Sequence, residues 1–285
     1  MIKLIAAFVA IALVGWLIVG EVRRRFFADL KSPERRAQLW ERLYGWDWQD
    51  HSANNYGYAP SALDHPEKFQ LELYRALFAM SDGLLAPGAR MLEVSCGRGG
   101  GLAYLAQERG KAIVATGLDL SAHAINAAQR MHPDIPNLTF VRGSAIALPF
   151  DAETFDVVLN VEASHEYPDF DAFLAEVRRV LRPGGLLLHC NARTAAQSPG
   201  ILESFEKAGF KGEIRDITAH VAEACRLDSA RRAALLRRAV PRFERALIGR
   251  WLGNYAALEG SRKFEQFQSG SRGYFMSCLR MTDPA

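Results

Sequence analysis

The sequence predicts a doubly wound α/β fold built on a mainly parallel sheet. Three observations carry that prediction. From residue 90 short apolar runs alternate with helical segments, the intervals between runs require crossovers, and a glycine-rich turn joins the first run to the first helix. The predicted strands are Arg90–Ser95, Ala112–Leu118, Leu138–Arg142, Phe155–Val161 and Leu186–Cys190, with helices near Gly101–Arg109, Ser121–Met131 and Asp169–Leu181. A sheet of this kind is covered by helices on both faces, which fits strands that read as nearly continuous apolar runs.

Residues 21–48 ahead of the sheet read as an amphipathic helix, with Leu39, Trp40, Leu43 and Trp46 at helical spacing and Pro33 near its start. Residues 49–66 are rich in Asn, Pro, Ser and Gly and read as a long loop of the sort that often carries function. A helix over Glu67–Gly83 follows, burying Phe69, Leu73, Ala76, Leu77 and Met80. Beyond Ile201 the chain turns more helical. Arg231, Arg238, Arg242 and Arg245 are expected on one face of a basic segment and Leu236, Val240, Phe243 and Leu247 on the other, with Pro241 breaking the helix. Such a face suits solvent or an anionic lipid surface. The apolar run Tyr274–Met281 is expected to pair at the sheet edge.

The 285 residues are 49% hydrophobic and 24% charged, which sets aside intrinsic disorder, and four scattered cysteines argue against both a disulfide scaffold and a zinc site. A net charge of +3 does not point to nucleic acid. One segment breaks the average: Leu4–Gly20 carries no charge and is followed by Arg23, Arg24 and Arg25. As a helix it would be about 25 Å long, near the short limit for crossing a bilayer. Its length and its lack of a small-residue cleavage site favour an uncleaved anchor over a secretory signal or a buried core helix. The arginines place the rest of the chain on the cytoplasmic side of a single-pass membrane protein. The expected organisation is an anchor and basic flank over 1–27, a helical cap and lid loop over 28–83, and a sheet domain over 84–285 with a helical insertion about 218–260.

The strongest constellation is Met91-Leu92-Glu93-Val94-Ser95-Cys96-Gly97-Arg98-Gly99-Gly100-Gly101. Backbone without side chains lets a nucleoside-bearing ligand come close, and Asp119 at the end of the second strand is placed to accept from ribose hydroxyls. A nicotinamide dinucleotide fits less well: counted from Gly97, the third glycine of its fingerprint falls on Leu102, and Glu93 would face a diphosphate. A cationic, amine-bearing ligand suits Glu93 better.

These stretches, with Gly117-Leu118-Asp119-Leu120, the run Asn160-Val161-Glu162-Ala163-Ser164-His165 and the Arg182-Pro183-Gly184-Gly185 turn, resemble the class I S-adenosylmethionine-dependent methyltransferases. Within them the chain is similar to the phthiotriol and phenolphthiotriol dimycocerosate O-methyltransferases, which methylate a hydroxyl on a long-chain lipid. The resemblance runs from about Met91 to Gly185 and implies a seven-stranded Rossmann-like sheet. It implies S-adenosylmethionine as cofactor and S-adenosylhomocysteine as product. Glu93 and Gly97 would face the methionine portion, Gly99 would keep the turn tight and Asp119 would hold the ribose, with Ser95, Leu120 and Asn160 completing the set. Where the family usually has an Asp after the third strand this chain has Ser144, so its hydroxyl or the Ala145 backbone would meet the adenine.

His165, just past the fourth strand, is the candidate general base toward an acceptor hydroxyl, oriented by Glu162 or assisted by Ser164. The competing reading is a histidine that only shapes the pocket. His189 is expected to be packed or cofactor-adjacent rather than a base, Cys96 to be a small filler, and Tyr56 and Tyr58 to fold over the cofactor or substrate as a lid. No metal motif is present in the sequence and transfer from a sulfonium needs none. The expected function is O-methylation of a lipophilic small molecule or lipid at the membrane, without nucleic acid as a partner. Carbon methylation of a quinone, sterol or polyketide, and a non-catalytic scaffold keeping the cofactor fold, are the alternatives.

Overall fold

The structure, a computed structural model, describes residues 16, 17, 20, 21, 24 and 32–282. Most of the uncharged run Leu4–Gly20 lies outside the described residues, and among these no helix is long and apolar enough to cross a membrane.

Seven strands form one sheet in the order β3-β2-β1-β4-β5-β7-β6. They are β1 (Ala89–Val94), β2 (Ile113–Asp119), β3 (Leu138–Arg142), β4 (Phe155–Val161), β5 (Leu181–Thr194), β6 (Phe210–Asp216) and β7 (Arg272–Met281). The first five pair in parallel, and β7 runs antiparallel between β5 and β6. Chain order reverses between β1 and β4, so the crossovers leave in opposite directions and open a crevice at the strands' carboxyl ends.

The side chains of β1 show how the sheet is sandwiched. Met91 joins a core with Leu73, Leu77, Leu102 and Leu105 on one face, while Leu92 joins Phe173, Leu174 and Val177 on the other. The helices supplying these faces are α2 (Lys68–Ala79), α3 (Gly100–Arg109) and α5 (Phe170–Val180). On the sheet's other flank α4 (Ala122–Met131) is capped by Ser121, whose Oγ accepts from the Ala124 amide at 3.1 Å, and α6 (Ser198–Lys207) follows β5.

Two expectations for the tail need correction. The run ending in Met281 is not at the edge of the sheet: Tyr274, Met276, Ser277 and Leu279 are all buried, so both faces of β7 are covered and it takes neighbours on both sides. The edge belongs to β6, of which only Phe210 is buried; its charged residues Lys211, Glu213, Arg215 and Asp216 hide it from an apolar pattern and suit an exposed edge. The basic segment also does not divide as expected. Pro241 does separate α7 (Thr218–Ala239) from α8 (Arg242–Tyr255), but Phe243 is 75% exposed. Arg231 turns inward, bonded to Asp228 and Gln70, because a buried carboxylate attracts it more than solvent does.

Between β6 and β7 the chain forms α7, α8 and α9 (Arg262–Gln268). With α1 (Pro33–Tyr44) they roof the crevice: Leu39 and Leu43 of α1 pack against Val240, Ile248 and Leu252, and Arg42 pairs with Glu244 at 2.9 Å.

Candidate active site

The glycine turn after β1 is shaped by what crowds it. Gly99 adopts φ 75° as the residue capping α3, a conformation that side chains resist. A Cβ on Gly101 would lie 2.1 Å from the Tyr74 ring, so only glycine lets α2 come this close. That approach has a chemical result, because the Tyr74 hydroxyl donates to Glu93 Oε1 at 2.6 Å. Glu93 is fully buried, and burial pushes its carboxyl up to about 8 against the opposing effect of the Tyr74 bond.

Glu93 Oε2 has no hydrogen-bond partner, and neither has Asn160 Oδ1 at the end of the adjacent strand. Asn160 is locked by its amide nitrogen, which donates to the Val94 carbonyl at 3.0 Å and to the Tyr167 hydroxyl at 2.8 Å. Tyr167 also lies 2.7 Å from Ser95 Oγ. Two buried acceptors on neighbouring strands without donors are what an ammonium-bearing ligand would satisfy. Asp119 accepts from the Gly97 amide and the Ser121 amide, each at 2.9 Å, which leaves a second lone pair on each oxygen for hydroxyl donors. The Gly143 amide donates to the Asp119 carbonyl at 3.0 Å and brings Ser144 and Ala145 alongside, with Leu120 half exposed beside them. The residues predicted to hold the cofactor thus line one rim, from Glu93 to Ala145.

The loop over 49–66 is built as a clamp. Glu67 accepts from the Ser52 amide and hydroxyl and the Ala53 amide, and it pairs with His51. Burial alone would raise its carboxyl, but these donors outweigh burial and hold it down at about 2. The clamped loop reaches the glycine turn: the Gly100 amide donates to the Ser52 carbonyl, and Arg98 Nε donates to the His51 carbonyl at 2.6 Å. The structure places Tyr56 in the core, its hydroxyl taking a bond from Lys263 at 2.7 Å and giving one to the Tyr255 carbonyl. Tyr58 stacks on His220 with ring centres 4.3 Å apart. Tyr56 lines the cavity under the roof and Tyr58 does not.

The expected grouping around His165 also differs. Glu162, at φ 53°, accepts through Oε1 from the Tyr56 amide at 2.7 Å and the Tyr274 hydroxyl at 2.6 Å, bonds that hold it to the core side and not to His165. Burial raises its carboxyl to about 7. Ser164 Oγ contacts His189 Nε2 at 2.8 Å and accepts from Asn191. His189 is packed, and burial lowers its ring to about 3. His165 is 42% exposed, with Glu166 3.5 Å from its Nε2.

A cavity open to solvent lies under the roof. Its apolar walls are Trp40, Leu43, Trp48, Leu235, Leu236 and Leu252, and its polar points include Arg98, Glu162 and Arg231. Sequence reasoning missed Tyr74, Tyr167, Glu67 and Arg98. Only Arg98 carried a local signal, as the charged residue inside the glycine turn. Among the described residues no cluster of His, Cys, Asp and Glu could hold a metal.

Residues 92–189 match a methyltransferase domain. The chain is 39% identical over 193 residues to a probable phthiotriol/phenolphthiotriol dimycocerosates methyltransferase 2 of Mycobacterium ulcerans, covering 67% of this chain and 73% of that protein. It is 37% identical over 235 residues to a fatty-acid O-methyltransferase of Mycolicibacterium smegmatis, covering 79% of this chain and 81% of that one. The cyclase SpnF superposes with a TM-score of 0.67 at 20% identity over 88% of this chain and 97% of its own. The geranyl diphosphate C-methyltransferase of Streptomyces coelicolor, solved with S-adenosylhomocysteine, gives 0.61 at 16% identity over 86% and 97%. At such identities the two structures speak for the fold alone, and a cyclase among them shows that this fold hosts more than one chemistry. The sequence relatives, the matched domain and the unfilled acceptors agree: the chain belongs to the class I S-adenosylmethionine-dependent methyltransferases, beside the phthiotriol and phenolphthiotriol dimycocerosate methyltransferases.

Proposed function

We propose that the chain transfers a methyl group from S-adenosylmethionine to an oxygen of a lipophilic small molecule or lipid at the membrane surface. The observation that carries this reading is the cavity. Two tryptophans and four leucines form a wall beside the cofactor rim, a lining that favours a long apolar molecule. Relatives named for phthiotriol dimycocerosates and for fatty acids support the same class of acceptor.

Bound at the rim, the cofactor supplies a methyl group on a sulfonium. Glu93 and Asn160 would hold its ammonium through the two unfilled oxygens, Asp119 its ribose, and Ser144 and Ala145 its adenine. Glu93 would then carry its charge, since an ammonium stabilises the carboxylate that burial disfavours. The walls exclude water and position the acceptor, which supplies much of the acceleration in a displacement of this kind. A hydroxyl acceptor must also lose a proton, and His165 at the end of β4 is the candidate base. We further propose that the uncharged run Leu4–Gly20 tethers the enzyme, with the arginines after it keeping the catalytic domain cytoplasmic.

The test is a methylation assay on the full chain with labelled S-adenosylmethionine, offering hexadecanoate, hexadecanol and short water-soluble acids and alcohols. Label in a long-chain product, at least about tenfold over the short analogues, is the expected result. Label confined to short polar acceptors would overturn the reading.

A further inference from the structure

We propose that Arg98 anchors the carboxylate of the acceptor, so that the oxygen methylated belongs to a long-chain acid. The inference rests on the methyltransferase reading above and narrows its acceptor.

Arg98 is 6% exposed, yet among the described residues no carboxylate pairs with it. Its one hydrogen bond runs from Nε to the His51 carbonyl, and its guanidinium carbon lies 5.6 Å from the Tyr44 ring centre and 5.2 Å from that of Trp48. The two terminal nitrogens make no hydrogen bond, and the side chain lines the cavity. Buried guanidinium groups are normally matched by an anion, because two aromatic faces only partly replace lost hydration. The cavity's other arginines are matched: Arg231 and Arg232 share Asp228. Glu162, the remaining acid on the wall, is tied through Oε1 to Tyr56 and Tyr274 and makes no ion pair with Arg98. Arg98 is therefore the cation of this wall whose partner must arrive with the ligand.

Arg98 lies between the Tyr44 and Trp48 rings and lines the cavity together with Trp40, Leu43 and Leu252, the walls assigned above to the acceptor. A planar guanidinium with two free nitrogens matches a carboxylate in a bidentate fashion. The chemistry is simpler for an acid than for an alcohol. One carboxylate oxygen forms a bond to the methyl carbon as the carbon–sulfur bond breaks, and that bond pair stays with sulfur. The sulfonium charge and the carboxylate charge cancel, giving an ester and a thioether with no proton to remove. His165, which makes no bond to Glu162 or Ser164, then has no proton to take from the acceptor.

The test uses the full chain, Arg98→Gln and Arg98→Lys, with hexadecanoate and hexadecanol as probes and calorimetry with S-adenosylhomocysteine as a control for folding and for the cofactor rim. In the presence of S-adenosylhomocysteine, hexadecanoate should bind the unaltered protein and bind Arg98→Gln about 10- to 100-fold more weakly, with Arg98→Lys in between. Affinity for S-adenosylhomocysteine should stay within about twofold. The KM for hexadecanoate should rise by the same factor, and by clearly more than the KM for hexadecanol. Loss of S-adenosylhomocysteine binding in Arg98→Gln would overturn the proposal by assigning the arginine to the methyl donor's own carboxylate. Equal hexadecanoate binding by all three proteins would also overturn it. If the acid binds through Arg98 but no long-chain product forms, the carboxylate subsite stands and the methyl-acceptor reading fails.

Discussion

The two halves of the site are built in opposite ways. On the cofactor rim, Glu93, Gly97, Gly99, Asp119, Ser144 and Asn160 sit at the ends of neighbouring strands, and two of their oxygens wait for donors. Under the roof the polar groups are mostly satisfied by one another across the length of the chain: Arg232 donates to the carbonyls of Tyr56 and Ala256, and Lys263 reaches Tyr56. The difference teaches that one half is a template completed by its ligand, while the other is a wall largely closed on itself in which the terminal nitrogens of Arg98 are left open.

Removing the clamp should break the contrast most severely, because it ties the two halves together. Glu67→Gln leaves three donors and a ring that burial keeps neutral facing an amide, and the loss of these hydrogen bonds to a charged acceptor costs about 2–3 kcal/mol. Thermal or urea unfolding would show it. Since the folded carboxyl sits near 2 against an ordinary 4.5, its contribution is fully present above pH 4.5 and fades as the pH falls toward 2. An unchanged midpoint at neutral pH would mean the loop is not held by this residue.

A smaller effect is expected on the rim. Glu93→Gln keeps the shape and removes the charge, and should weaken S-adenosylhomocysteine by about 10- to 100-fold, the worth of a charged hydrogen bond. The folded carboxyl at about 8 lies above its unfolded value, so the empty protein loses stability as pH rises through that range. The ligand's ammonium should displace the proton. Titrations at pH 7 in buffers of different ionisation enthalpy should register proton release in the unaltered protein and much less in Glu93→Gln. The smallest effect should follow Tyr58→Ala, which unstacks His220 at a cost of about 1 kcal/mol and leaves S-adenosylhomocysteine affinity unchanged. A marked loss of affinity there would restore Tyr58 to the ligand.

Legibility in the sequence divides along the same line. Strands Leu138–Arg142 and Phe155–Val161 lie where their apolar runs put them, and the rim follows from short stretches in which the spacing of glycine and acid is itself the signal. Strand β6 was invisible because its residues are charged, and the place of β7 inside the sheet could not be read without it. The inward turn of Arg231 depends on Asp228 and Gln70, the latter 161 residues away, so helical periodicity alone sent it to the surface. The partners of Glu162, Tyr56 and Tyr274, lie 106 and 112 residues away in the chain, and no local pattern announces them.

The unfilled oxygens of Glu93 and Asn160 bear on more than affinity. A fold that keeps buried acceptors waiting is at its weakest when empty, and a ligand present at 100 times its Kd adds about 2.7 kcal/mol to it. Proteolysis that samples the unfolded fraction should therefore be slower when the methyl donor is bound.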